Sequence, residues 1–232
     1  MPAAPLVALD EDEFEALVPG FTTGPVRAEA ANLFLPGDIV LTGATASPAA
    51  QDRYLAVCLR RMEGLGVKVL VFGSGRARAI PDGADRASAL DQIEDFMRRA
   101  AARAAEHGVR LVLEPLRRQE SNVFNSVREG AAFLRERHIE GFRLLADLYH
   151  MMDEGEDLGA IDDAADLLWH AHVADGAARR APGEGDYDIA AFLAHLHQSG
   201  YRGDVSIECG WDDFDREIGP ALSALRSAGA GR

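Results

Sequence analysis

Short apolar runs alternate with segments of helical period along almost the whole chain. The runs are Ala28–Phe34, Val67–Phe72, Val109–Glu114, Arg143–Asp147, His170–Ala174 and Val205–Glu208, and their length and apolar character predict buried strands. Between them, Tyr54, Leu55, Cys58, Leu59 and Met62 recur at helical spacing until Gly64 and Gly66 stop the pattern. Leu90, Ile93, Phe96, Met97, Ala100 and Ala104 form a second stripe, closed by Gly108. Ser126 and Glu129 have the spacing of a capping box at a third helix. Ile189, Phe192, Leu193 and Leu196 form a fourth, ending at Gly200. Strands alternating with helices of this size predict βαβ units and a parallel sheet.

A closed (β/α)8 barrel needs eight strands, and the pattern supplies six clear ones. The fold class expected is therefore a TIM barrel lacking the first strand–helix unit at the N-terminus. The segment Pro5–Leu9 reads as the tail of one further strand, and Glu11–Leu17 as the helix after it. No linker, repeat or low-complexity tract divides the chain, so residues 1–232 read as one domain. An open sheet edge is a liability unless covered, which predicts self-association or a covering element.

Composition narrows the function classes. With 232 residues, 47% of them hydrophobic, the chain can bury one sizeable core. Its formal net charge of −14 opposes nucleic acid and anionic membrane surfaces as partners. No apolar stretch is long enough for a bilayer span, the N-terminus lacks a signal-peptide pattern, and two cysteines make no disulfide framework. The expectation is a soluble cytoplasmic protein. Lys68 is the only lysine and starts a strand, the wrong end for Schiff-base chemistry in a barrel.

Four side chains stand at the downstream ends of successive apolar runs: Glu114, Asp147, His172 and Glu208. Downstream strand ends of an α/β barrel open onto one face, where active sites are built. Three carboxylates and an imidazole converging there suit a hard or borderline divalent cation. Each carboxylate alone reads equally well as a helix cap or an ion-pair partner; four at the same end of successive strands favour a site.

At these residues the chain resembles the xylose isomerase-like TIM barrels, in particular their ketose 3-epimerase and hydroxypyruvate isomerase branch. The likeness is carried by EPL at Glu114–Leu116, ADLYH at Ala146–His150, HVAD at His172–Asp175, RRAPGEGDYD at Arg179–Asp188 and SIECGW at Ser206–Trp211. It implies a divalent site, Mn²⁺ foremost with Mg²⁺, Co²⁺ and Zn²⁺ as alternatives, held by Glu114, Asp147, His172 and Glu208. It also implies proton transfer by Glu114 and Glu208, and substrate contacts from Glu120, His150 and Arg179.

The chemistry agrees. Removing a proton alpha to a carbonyl needs a stabilised enediolate, which a divalent ion supplies as a Lewis acid, and carboxylates remove and return the proton. The expected activity is a metal-dependent isomerase or epimerase of a small ketose or polyol ketone. The alternatives are a dehydratase of the inosose or dehydroshikimate type on the same scaffold, and a truncated, non-catalytic barrel. The resemblance favours Arg179 over Arg180, because the family's arginine usually sits three residues before the proline, here Pro182. His170, two residues before His172, is expected deeper on the same face. His195 and His197 are expected at the surface or in packing, and Cys209 in the core. Phe72–Gly75 is a glycine-rich turn with weak phosphate-binding character, and Asn32 or Phe34 could line the pocket.

Overall fold

The computed structural model describes residues 1–230. Six parallel strands are hydrogen-bonded strictly in chain order. They are β1 (Ala30–Ala31), β2 (Val69–Phe72), β3 (Arg110–Leu113), β4 (Phe142–Asp147), β5 (Leu168–Val173) and β6 (Val205–Ile207). The helices are α1 (Ala3–Ala8), α2 (Glu11–Thr22), α3 (Pro48–Gly64), α4 (Arg86–Glu106), α5 (Val127–Glu136), α6 (Leu148–Asp153), α7 (Gly159–Asp163), α8 (Ile189–Gln198) and α9 (Phe214–Gly229). All six predicted strands form, within a few residues of the expected limits. The third helix starts as expected: the Ser126 side chain accepts from the Glu129 backbone N–H at 3.0 Å, while the Glu129 carboxylate accepts from Asn125 N, one residue earlier than a capping box requires.

Alternation along each strand sorts the side chains into two layers. Val69, Val71, Val112 and Leu145 fill the concave face as a small cluster. Leu70, Phe72, Leu111, Leu113 and Leu144 point the other way and pack under α3, α4 and α5 in the main core. Phe72 anchors that layer, its ring 6.1 Å from Phe34, 5.7 Å from Phe96 and 6.0 Å from Phe142.

The front of the chain departs from expectation. Pro5–Leu9 is not a strand tail, because Pro5 to Ala8 lie in α1. Pro5 sits in the first helical turn, where a missing N–H costs nothing, and Arg61 caps the far end by donating to the carbonyls of Leu6 at 2.6 Å and Leu9 at 2.9 Å. The residual strand lies further forward. Pro2 bridges Asn32 in parallel, with Asn32 N donating to the Met1 carbonyl and Ala3 N to the Asn32 carbonyl, both at 2.8 Å. Among the described residues the sheet does not close by backbone hydrogen bonds; instead the Asn32 side chain donates across the gap to the Glu208 carboxylate. A cavity of about 720 Å³ opens along this seam between Met1, Phe21, Val26, Ser206 and Phe214. Cys209, expected in the core, is only partly buried, while Cys58 is buried. No helix among the described residues is long and apolar enough to cross a membrane.

Candidate metal centre

The period of two that buries Val112 and Leu145 on the concave face carries Glu114 and Asp147 onto the same face at the downstream strand ends. His172 follows His170 by two, and Glu208 follows Ser206 by two. The four chains of alternation meet: one ligand atom from each of Glu114, Asp147, His172 and Glu208 lies within 4.8 Å of the other three. His172 Nδ1 is the hub, 3.0 Å from Glu114 Oε1, 3.3 Å from Glu208 Oε2 and 3.9 Å from Asp147 Oδ2. Glu114, Asp147 and His172 are buried, and Glu208 is partly buried.

Asp147 serves two elements. Its Oδ1 caps α6 by accepting from Tyr149 N at 2.8 Å. Its Oδ2 is buried without a hydrogen-bond partner and faces the cluster. A buried carboxylate oxygen left unpaired is costly, and the donor set around it, three carboxylates and one imidazole nitrogen, is one a divalent cation accepts. On these grounds the residues present fit such an ion.

The cluster is electrically polarised. Burial raises Glu114 above the ordinary carboxylate range, and the charge of Glu208 adds to it. Burial pushes Asp147 up to about 7. For His172, burial works downward but is outweighed by the charge of Glu208 and the hydrogen bond with Glu114, so the imidazole is raised well above its usual value. Burial would also raise Glu208, yet His172, Arg179 and Asn32 together hold it below the usual range.

The expected substrate contacts surround the cluster. Arg179 pairs with Glu208 and stands 3.6 Å from Asp147 Oδ2; Arg180 turns outward to Asp212 at 2.6 Å. His150 lies buried beside the cluster, with Nε2 unpaired and 3.8 Å from Asp147 Oδ2; burial lowers its pKa to about 3, and the charge of Arg179 adds to this. Glu120 stands outside the ligand cluster, at the mouth, bonded to Arg117 at 2.7 Å. His170 lies beneath His172 with ring centroids 5.2 Å apart, bonded to Ser206 at 2.9 Å. His195 is at the surface, against Asp162.

Sequence reasoning missed several supports. Arg78 is fully buried and donates to the carbonyls of Phe72 at 2.9 Å and Glu114 at 2.8 Å, tying two strand ends together. Gly73 lets Glu114 approach, since a Cβ there would overlap Glu114 Oε2; the glycine-rich turn serves this packing. Asp175 accepts from Gly183 N at 2.8 Å and Tyr187 N at 3.0 Å, folding the loop that carries Arg179. Tyr149 lies under both Arg117 and Arg179, whose guanidinium carbons are 5.0 and 4.8 Å from its ring centre.

A family model described as xylose isomerase-like TIM barrel matches residues 35–228. Over 117 residues, half of this chain, it is 32% identical to 3-dehydro-D-guloside 4-epimerase of Escherichia coli (strain K12). Over 129 residues, 55% of the chain, it is 36% identical to L-ribulose 3-epimerase of Methylomonas sp. (strain DH-1). The matched stretches span only 44% and 43% of those relatives' own lengths. Among solved structures, D-psicose 3-epimerase of Clostridium cellulolyticum H10 with D-tagatose superposes with a TM-score of 0.84 at 23% identity, covering 99% of this chain and 88% of that one; at that identity the likeness is one of fold.

Proposed function

We propose, from the premise that this chain belongs to the xylose isomerase-like TIM-barrel family, that it is a divalent-metal-dependent epimerase or isomerase of a small ketose or polyol ketone. The observation that carries this reading is the convergence of Glu114, Asp147, His172 and Glu208 within 4.8 Å, with a buried, unpaired Asp147 oxygen among them. The relatives' names, a 4-epimerase and a 3-epimerase of sugars, favour the same class.

A cation held there supplies Lewis-acid polarisation of the substrate carbonyl. The chain's own residues do the rest. Glu208 and Glu114 both approach His172 Nδ1, at 3.3 and 3.0 Å, and are the proton-moving pair. Arg179 and Asn32 both bond to the Glu208 carboxylate and hold it ionised, as a group that accepts the alpha proton must be, and Glu114 is the second carboxylate, which returns a proton. Return to the same carbon from the other face epimerises; return to its neighbour isomerises. The unpaired Nε2 of His150 and the guanidinium of Arg179, 3.8 and 3.6 Å from Asp147 Oδ2, support a role for both in binding substrate oxygens, and Glu120 is assigned to substrate hydroxyls. The seam between β1 and β6, with Val26 and Phe214 exposed along it, is where we place self-association.

The deciding experiment is a screen of ketoses and inososes with Mn²⁺- or Co²⁺-loaded protein in D₂O. Expected are deuterium at the carbon alpha to the carbonyl, a product of unchanged composition, and no turnover in a folded Glu208→Gln variant. Loss of one water would assign the dehydratase reading instead. Failure to bind either ion would leave only a scaffold.

A further inference from the structure

We propose that the floor of the barrel, at the upstream ends of the strands, is a second binding site that takes a phosphate-type oxyanion between Arg110, Lys68 and Trp169. The strand alternation that lifts Glu114 and Asp147 to the metal centre also places Arg110 and Arg143 on the concave face at the other end. Arg110 lies four residues before Glu114 and in register with Val69, and Arg143 four before Asp147 and in register with Val112. Val69 and Val112 belong to the interior cluster, so the two arginines are its lowest layer.

The floor is built around an irregularity. Leu144 pairs with Leu168 but Leu145 pairs with His170, leaving Trp169 as an extra residue in β5. A bulge of this kind re-aims a side chain at a barrel rim. Here it brings the indole against Arg110, whose guanidinium carbon is 3.7 Å from the ring centre. Stacking fixes the plane of the guanidinium and leaves its N–H edge free. Among the described residues the Arg110 side chain donates no hydrogen bond, and neither it, Lys68, Arg143 nor Arg202 has a carboxylate within 4.0 Å. That is unlike Arg128, Arg135 and Arg137, which all pair with acids.

A cavity of about 430 Å³ opens beside this stack, lined by Lys68, Arg110, Trp169, Gly108 and Gly141 among others and by no acidic residue. Glu29 and Asp204 line the neighbouring cavity, which shares Lys68 and Trp169 but not Arg110, so the anion belongs on the acid-free side, with Arg110. In a chain of net charge −14, two inward arginines and the chain's only lysine without acidic partners form a local field of opposite sign. A planar guanidinium opening onto a cavity that the lysine also lines matches a phosphate oxygen face.

The test reads Trp169 fluorescence in a Trp211→Phe background, which leaves one tryptophan. Inorganic phosphate, glycerol 3-phosphate and sodium chloride are titrated at constant ionic strength. A saturable change with either phosphate, absent with chloride and weakened at least about tenfold in Lys68→Met and Arg110→Met, establishes the site; tighter binding of the ester identifies an esterified phosphate as the source. No saturable change, an equal change with chloride, or an undiminished change in Lys68→Met overturns it. Lys68 is exposed, so that variant keeps the test valid even where Arg110→Met fails to fold.

Discussion

Arg78 donates to the main-chain carbonyl of Glu114 at 2.8 Å from a guanidinium with no exposed surface. The same group reaches the Phe72 carbonyl and lies 5.6 and 5.5 Å from the rings of Phe72 and Phe124. One buried cation thus fixes where β2 and β3 end, and with them the start of the Glu114 side chain. Arg78→Met leaves the buried Glu114 carbonyl unpaired and the Phe72 carbonyl with Glu114 N as its remaining donor, at 3.2 Å, and is expected to cost about 1–3 kcal/mol of stability, read by urea unfolding. Arg78→Lys, with one ammonium for two carbonyls, should recover only part. Wild-type stability in Arg78→Met would show that the clamp carries nothing.

Gly73 sets the approach to the metal centre from the other side. A Cβ at this position overlaps Glu114 Oε2 and lies 3.4 Å from Glu114 Cδ. The expected result for Gly73→Ala is a folded protein in which Mn²⁺ affinity, measured by calorimetry, falls at least about tenfold, the loss of one charge-assisted ligand contact. Gly20→Ala is the control: nothing lies within 4 Å of its Cβ, and in α2 it should stabilise by about 0.5–1 kcal/mol. Equal metal affinity in the two variants would remove the steric argument.

Protons and cations compete for the cluster, and the sign can be worked out. Burial raises Asp147 from 3.8 to about 7 and raises Glu114 as well, and His172 is raised by its carboxylate neighbours. A group with a raised folded pKa contributes stability that is complete below its unfolded value and lost as pH climbs through the folded one. Chelator-treated protein is therefore expected to melt at lower temperature as pH rises from about 5 to about 8. Glu208, held low, works in the opposite sense only below its ordinary 4.5, outside this window. Excess Mn²⁺ should reverse the trend, because the ion displaces those protons and binds more tightly as pH rises. Calorimetry in two buffers of different ionisation enthalpy should show net proton release. A melting temperature that climbs with pH under chelation would refute the assignment.

How much of this was legible follows from what each residue does locally. Glu114, Asp147, His172 and Glu208 each end an apolar run, so strand periodicity alone announced their common face. The extra helix at the front was not legible, because the apolar run Pro5–Leu9 suits a short helix as well as a strand; the choice was made by Arg61, more than fifty residues away, capping its carbonyls. Arg78 was invisible for a different reason. It lies in the polar stretch Ser74–Ala79, where arginine ordinarily meets water, and only the fold shows two strand-end carbonyls converging on it. Trp169 likewise became legible only through the register slip that exposes it.

Asp175 governs the loop that delivers Arg179. Its two carboxylate oxygens accept from Gly183 N and Tyr187 N, while its backbone exchanges hydrogen bonds with Arg180 at 2.8 and 2.9 Å. Arg179, between these anchors, has a φ of +54°, a left-handed conformation that needs such over-determination. Asp175→Ala removes two charge-assisted hydrogen bonds, to the N–H groups of exposed Gly183 and half-buried Tyr187, and should cost about 1–3 kcal/mol. Because Arg179 reaches both Glu208 and the rim, loosening it should raise KM for the substrate more than it lowers kcat. Asp175→Asn keeps one carbonyl oxygen as acceptor and should fall between. A fall in kcat at unchanged KM would instead place the effect of the loop in the proton-transfer step, through Glu208, and would reassign Arg179 from substrate binding to the charge balance of the carboxylates.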